Sequence, residues 1–581
     1  MNTQKEIKMK QINVPRAEYP RPQFKRQDWL TLNGEWEYET DRAVSGLARG
    51  LQNAEAFSER ITVPFCRESE LSGIGDLDFC ECCWYRRELD IPREWKDSRV
   101  ILNIGACDYH TTVWVNGTRL GEHVGGFVSF SFDITEALTY ENDAVVICAR
   151  DDVRSNDQAC GKQSQKYESY GCFYRRTTGI WQSVWLERVP KDYIKSVKYY
   201  PNIEDQSLAI VAKTVGGNGM ALCAEAFYDG KKVGSAEAKV SCGVANLTVK
   251  LDELHLWEVG QGRLYDLKLT LGDDEVQSYF GMRSIKTEDG VLYINGKKVF
   301  QRLVLDQGFY PDGIMTAPTE QALFDDIDMS MAMGFNGARL HQKIFEPQFL
   351  SQCDRKGYIV WGEHGNWGMN ISKAGIGAYV NFSSEWVEAV ERDFNHPAIV
   401  GWCPLNETQM DQSNGFLRAL AKLTRELDPT RAYIDTSGWV HVEKEYTDFT
   451  DVHDYDQNPE TFRERYDRFE AGETISIYNK RLKYKNPTFV SEYGGIQHGE
   501  DGWGYGNAPK DEKEFLERLD GLTRVLCENK KISAFCYTQL TDVEQEINGL
   551  YTFDRKPKFP AEVIAKIFSQ TAYIGDEKFG D

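Results

Sequence analysis

From residue 286 onward, short apolar runs alternate with helical periods, and nearly every run stops at a group of polar side chains. Candidate strands end near Leu305, His341, Glu363, Glu407, Thr436, Tyr455, Glu492 and Gln539. Helical spacing runs over Thr319 to Met333, Glu346 to Lys356, Asn414 to Leu427 and Lys510 to Asn529. Runs of β-branched and aromatic residues bounded by turns read as buried strands. Eight of them, mostly alternating with helices, predict a (β/α)8 TIM barrel over 286–581. Such barrels do their chemistry at the C-terminal ends of the strands. There the sequence puts Asp306, Gln307, Arg339, His341, Lys343, Glu363, Asn406, Glu407, His453, Tyr455, Glu492 and Gln539, with Trp367 and Trp439 following strand ends as an aromatic wall.

Two of these segments carry the chemical expectation. Trp402-Cys403-Pro404-Leu405-Asn406-Glu407 and Phe489-Val490-Ser491-Glu492-Tyr493 are apolar runs that each stop at a carboxylate. Either Glu alone reads equally well as a salt-bridged or capping group. Two carboxylates brought to one barrel mouth by different strands are the minimum equipment for glycoside hydrolysis.

The first half is built differently. Between about Trp29 and Val189 the strands are short and alternating, as in Val100-Ile101-Leu102 and Thr112-Val113-Trp114-Val115, with turns at Asn116-Gly117 and Gly125-Gly126. This predicts a jelly-roll-like β-sandwich over 1–190. Smaller alternating runs from Tyr193 to Ile285 predict an immunoglobulin-like sandwich over 191–285. The long polar stretch from Asp151 to Thr178, which carries Arg154, Lys162, Lys166, Arg175 and Arg176, interrupts the first sandwich. A structureless loop of that length is functional or disordered, and one reading takes it to the barrel mouth.

The chain is a multidomain one of 581 residues, 41% hydrophobic, with a formal net charge of -22. That charge argues against nucleic acid or an anionic membrane as a partner. No apolar stretch has signal-peptide or membrane-span length, and the 14 cysteines show no zinc spacing, which together predict reduced thiols and a cytoplasmic location.

The whole chain after Trp29 resembles glycoside hydrolase family two, which includes β-galactosidases, β-glucuronidases and β-mannosidases. The resemblance rests on Val113-Trp114-Val115-Asn116-Gly117, Gly179-Ile180-Trp181-Gln182, Met333-Gly334-Phe335-Asn336, Asn395-His396-Pro397, Asn406-Glu407, Ser491-Glu492-Tyr493-Gly494 and Phe553-Asp554-Arg555-Lys556-Pro557, in that order. It implies a retaining double displacement. Glu492 aligns with the family nucleophile, Glu407 with its acid/base, Asn406 with the residue that binds the 2-hydroxyl, and Tyr455 with the tyrosine on the nucleophile. Arg339 is expected to favour the ionised nucleophile. Asp306, Gln307, His341, Lys343, Glu363, Trp439, His453 and Gln539 are the expected glycone contacts. The chemistry requires no metal and no cofactor, and relatives of this kind form homodimers or homotetramers.

The sequence also departs from the family. Leu340-His341-Gln342-Lys343 replaces Ser-His-Tyr-Pro after Arg339, and Thr538 or Gln539 stands where a tryptophan is usual. Glu544 to Leu550 occupies the place of the glucuronidases' Asn-x-Lys carboxylate clamp. These changes disfavour a uronide. They point to an exo-hydrolase for a β-galactoside-like sugar, with β-galactofuranoside or α-L-arabinofuranoside as further options. The alternative is a catalytically silent carbohydrate-binding protein on the same fold.

Overall fold

The computed structural model describes residues 14–409, 414–441, 447–477, 482–484, 487–499 and 501–576. In the N-terminal region a four-stranded and a six-stranded antiparallel sheet enclose one core. Alternation decides which residues face it. Val100 and Leu102 from Arg99–Ile104 are buried there, as are Val113 and Val115 from His110–Val115 and Val145 and Ile147 from Ala144–Arg150. A second sandwich follows, with sheets of three and four strands around Leu208, Ile210, Leu222, Ala224, Leu267 and Leu269.

After a small three-stranded antiparallel sheet over 285–299, and beside a two-stranded ribbon of Ile475–Ile477 and Leu482–Tyr484, the rest is built on one barrel sheet of eight strands. In chain order these are β1 (Gln301–Asp306), β2 (Gly337–Leu340), β3 (Ile359–Glu363), β4 (Ile399–Cys403), β5 (Ala432–Tyr433), β6 (Asp451–Asp454), β7 (Phe489–Gly494) and β8 (Ala534–Thr538). Each pairing between them is parallel, running β5-β4-β3-β2-β1-β8-β7-β6. Helices α1 (Glu320–Ala332), α2 (Pro347–Lys356), α3 (Ile376–Asp393), α4 (Asn414–Leu427), α5 (Pro459–Glu470) and α6 (Glu512–Glu528) lie between strands, and α7 (Ala561–Phe568) follows β8. Thr319 and Asp511 cap α1 and α6, accepting from the amides of Ala322 and Glu514.

Among the described residues no ladder joins β5 to β6. Side chains bridge that seam instead. The Asp451 carboxylate accepts from Ser437 Oγ at 2.7 Å, from the Gly438 amide at 3.2 Å and from Ser491 Oγ. Burial holds against that charge, but His441 and His453 beside it keep Asp451 ionised, with its pKa down at about 2. All 14 cysteines are free thiols. No described helix is long and apolar enough to cross a membrane.

Candidate active site

Glu492 lies within β7, and its neighbours are set by strand register. Arg339, near the end of β2, reaches across the barrel floor and is 2% exposed. One guanidinium organises four groups. Nε donates to Glu363 Oε2 at 2.8 Å, Nη1 to Glu492 Oε1 at 2.8 Å and to the Ser491 carbonyl at 3.3 Å, and Nη2 to Asn406 Oδ1 at 2.6 Å. With one lone pair of Oδ1 engaged by Arg339, Asn406 offers a ligand its Nδ2–H. Tyr455 OH donates to the other oxygen of Glu492 at 2.5 Å, and its ring stacks on Tyr505 with centroids 3.4 Å apart.

Glu407 does not end β4 as the sequence suggests, because β4 stops at Cys403. Leu405 and Asn406 instead continue alongside the segment after β5. The Ser437 amide donates to the Leu405 carbonyl and the Glu407 amide to the Ser437 carbonyl, both at 2.8 Å. Those bonds, with the Asn406 amide on Asn366 Oδ1 at 2.9 Å, hold Glu407 at φ +49°. A left-handed Glu costs about 1–2 kcal/mol, which local bonding must outweigh.

His453, from β6, stands between the two carboxylates. Its Nδ1 is 2.7 Å from Glu407 Oε1 and 3.2 Å from Glu492 Oε2, while Nε2 is 3.1 Å from Ser437 Oγ. The acceptors around Nδ1 assign the ring proton there. Ligating atoms of Glu407, His453 and Glu492 all fall within 4.8 Å of one another. The trio could in principle meet a cation, but a protonated Nδ1 has no lone pair for one. The same spacing suits two carboxylates acting on one acetal carbon, since retaining pairs sit about 5–5.5 Å apart and inverting pairs about 6.5–9.5 Å. Burial favours the neutral form of Glu492, but the charges of His453 and Arg339 outweigh it and hold its pKa down at about 2. His341 contributes little to this, since burial and the charges of Lys162 and Arg339 hold its imidazole neutral.

Several expected glycone contacts are committed elsewhere. Glu363 accepts from Arg339 and from the Gln342 amide at 3.0 Å, so it serves to orient Arg339. The expectation of Lys343 as a glycone contact does not match its place. It is 3% exposed, and Nζ donates to the carbonyls of Gly308 at 2.6 Å and Met315 at 2.7 Å, tying down the segment after β1. Burial pulls its pKa down to about 8. Gln539 is fully buried, accepting from Gln307 Nε2 at 3.0 Å and donating to Asn548 Oδ1 at 2.8 Å. Gln539 is thus engaged at both ends, while Gln307 keeps a buried Oε1 with no partner. Asp306 accepts from the Gly308 amide at 2.9 Å, and burial, with the nearby Asp326, raises its carboxyl to about 7.

A cavity of about 540 Å³ opens beside Glu407 and Asn406, lined by Trp367, Trp439, Phe173, Met369 and Ile371 among others. Glu407 is part of its lining and Glu492 is not. Phe173 belongs to the first sandwich. The stretch from Asp151 to Thr178 reaches the barrel mouth. The Cys160 amide donates to the Trp367 carbonyl at 2.7 Å, the Gly161 amide to the Gly365 carbonyl at 2.9 Å, and Tyr174 OH to Glu546 Oε2 at 2.5 Å. In the sequence Lys162 is one of several basic residues in that loop, and no motif marks Tyr505 or Asn366. The only signal for this loop was its length.

Three family models match the chain: a glycosyl hydrolase 2 galactose-binding domain-like region over 58–184, a glycosyl hydrolases family 2 region over 193–283, and the family 2 TIM barrel domain over 285–572. The chain is similar to the β-glucuronidase of Paenibacillus borealis, 26% identical over 62% of this chain and 63% of that protein. It is also similar to the β-galactosidase of Thermoanaerobacterium thermosulfurigenes, 24% identical over 73% of this chain and 60% of that one. Alignments with such relatives span from 35% to 67% of their length. In fold it is similar to a β-glucuronidase from Ruminococcus gnavus in complex with D-glucuronic acid, at a TM-score of 0.78 and 18% identity, covering 96% of this chain and 100% of that one.

Proposed function

The chain belongs to glycosyl hydrolase family 2, and from that premise we propose that it is a retaining exo-glycosidase. The observation that carries the reading is the pair Glu407 and Glu492, within 4.8 Å through the atoms that flank His453.

In the first step a Glu492 oxygen forms a bond to the anomeric carbon as the bond to the leaving oxygen breaks, and Glu407 gives that oxygen its proton. In the second, water attacks the glycosyl ester, Glu407 takes the water's proton, and the carboxylate of Glu492 is released. Arg339 keeps the nucleophile ionised and aimed. Tyr455 fixes its second oxygen. Asn406 Nδ2 is the donor for the 2-hydroxyl. The exo reading draws support from the first sandwich's loop, which closes against the barrel mouth through the Gly161–Gly365 and Tyr174–Glu546 bonds.

The glycone in this reading is neutral and β-galactoside-like, with β-galactofuranoside and α-L-arabinofuranoside in the same class. Its support is Glu546, a buried carboxylate held by Tyr174 and Asn548 where a clamp for a uronate would need a cation. A uronide is the second reading, favoured by the ammonium of Lys162 and by the β-glucuronidases among the relatives. Initial rates on a panel of nitrophenyl glycosides separate the two, and activity confined to the β-glucuronide would refute the first. Proton NMR of the first-formed sugar tests retention, and an inverted anomer would contradict the mechanism. Glu492→Gln is expected to lower turnover by orders of magnitude while sugar affinity largely survives. Wild-type turnover in that variant would remove Glu492 from the role.

A further inference from the structure

Lys162 is 6% exposed, and its ammonium lies 4.5 Å from the centroid of the Trp367 ring. Among the described residues Nζ has neither a hydrogen-bond acceptor nor an ion-pair partner. An ammonium beside a ring face, with no protein acceptor fixed on it, keeps its donors free for a ligand or for water. Its position is nevertheless fixed by backbone on both sides. The Gly161 amide donates to Gly365 O, and the Tyr174 amide donates to the Lys162 carbonyl at 2.7 Å. Gly161 has φ +60°, and a Cβ there would stand 2.3 Å from the Gln342 carbonyl oxygen, so the loop is pressed against the barrel at this point.

The nearby acids show what is missing. Despite its burial, the Lys162 ammonium is favoured by the field of Cys172, Glu546, Glu492 and Glu407. Arg339 is already spent on Glu363 and Glu492. Glu407 has His453 beside it, which leaves Glu546, tied to the same loop through Tyr174 and separated from Lys162 by more than an ion-pair gap. Glu546 accepts from Tyr174 OH and from Asn548 Nδ2 at 3.1 Å, which pins it in place.

Resting on the retaining-glycosidase reading, we propose that Lys162 is a specificity residue for the glycone, supplied by the first sandwich, and that with Glu546 it binds a hydroxyl of a neutral sugar. A hydroxyl suits such a gap because it accepts from the ammonium and donates to the carboxylate at once. A sugar carboxylate does not suit it, because a further anion would be buried with no cation left to match it.

The test compares wild type with Lys162→Met, which keeps the stem and removes the ammonium. Both act on the nitrophenyl glycoside that wild type prefers and on its monodeoxy analogues. The variant is expected to lose about 10- to 100-fold in kcat/KM on the parent sugar. On the one analogue lacking the bridged hydroxyl, variant and wild type should differ by less than about threefold, since the interaction is already gone. Equal losses on every substrate would mean that Lys162 only wedges the loop, and would overturn the proposal. A loss greatest on the β-glucuronide would overturn it in favour of an anion site. Glu492→Gln, run in parallel, tests the glycosidase assignment separately. Should wild type hydrolyse no glycoside, calorimetric titration of wild type and Lys162→Met with the free monosaccharides and their deoxy forms reads the same coupling by affinity, with equal weakening as the refuting result.

Discussion

Replacing Arg339 by Met should damage stability and activity together, and a second substitution should separate them. The guanidinium is the shared partner of Glu363 and Glu492, both buried, and also holds Asn406. Removing one partner of a buried charge pair costs about 3–5 kcal/mol, because the remaining charge is left without compensation. The titration of Glu492 gives a comparable magnitude. A folded value of about 2 against roughly 4.3 for an unfolded Glu is worth about 3 kcal/mol at neutral pH. Because the folded value is depressed, this stability is fully present above pH ~4.3 and is lost as the pH falls toward about 2. In Arg339→Met the share that Arg339 supplies, second to that of His453, should be absent at neutral pH. At roughly 2–4 °C per kcal/mol, the barrel transition should fall by about 6–20 °C in a thermal melt. Adding Glu363→Gln removes one stranded charge and should recover part of that fall. It should recover no activity, since Glu492 and Asn406 stay misaligned, and the acid limb of kcat/KM should stay shifted upward. A melt of Arg339→Met within 2 °C of wild type, or a double variant less stable than the single, would refute the reasoning.

Other substitutions separate chemistry from support. Glu407→Gln should slow hydrolysis of alkyl glycosides by about 10²–10⁴-fold, yet barely slow the first step on a dinitrophenyl glycoside, whose leaving group needs no proton; a burst experiment reads this, and equal slowing of both would count against the acid role. Lys343→Met should lower the melting temperature, because the Gly308 and Met315 carbonyls lose their donor, while KM stays within about threefold, since the bonds of Arg339 and Tyr455 to Glu492 do not involve it; a selective rise in KM would restore it as a sugar ligand. Gly161→Ala should unseat the loop, given the 2.3 Å approach to the Gln342 carbonyl, and show as faster proteolysis of 151–178 and weaker sugar binding; unchanged binding would mean that the loop is not part of the site.

Periodicity alone carried much of the fold. Two sandwiches and a barrel could be read from the change between period-two alternation and strand–helix repeats, because burial of one face imposes that pattern whatever the partner. The apolar runs ending at Glu407 and Glu492 were legible for the same reason. Which polar residue faces the cavity was not legible. Glu363 ends β3, while Gln539 follows β8 and Lys343 lies three residues past β2, yet their hydrogen bonds go to Arg339, Gln307 and Gly308, and a one-dimensional pattern does not say where a side chain's partner lies. Residues from two different domains meet at the mouth, Phe173 and Lys162 from one and Trp367 from the other. Local sequence decides strands and helices through short-range sterics and burial. The meeting of an ammonium, a ring and a set of carboxylates is decided only when distant backbones pack, because electrostatic and hydrogen-bond energies depend on distances that no spacing along the chain encodes.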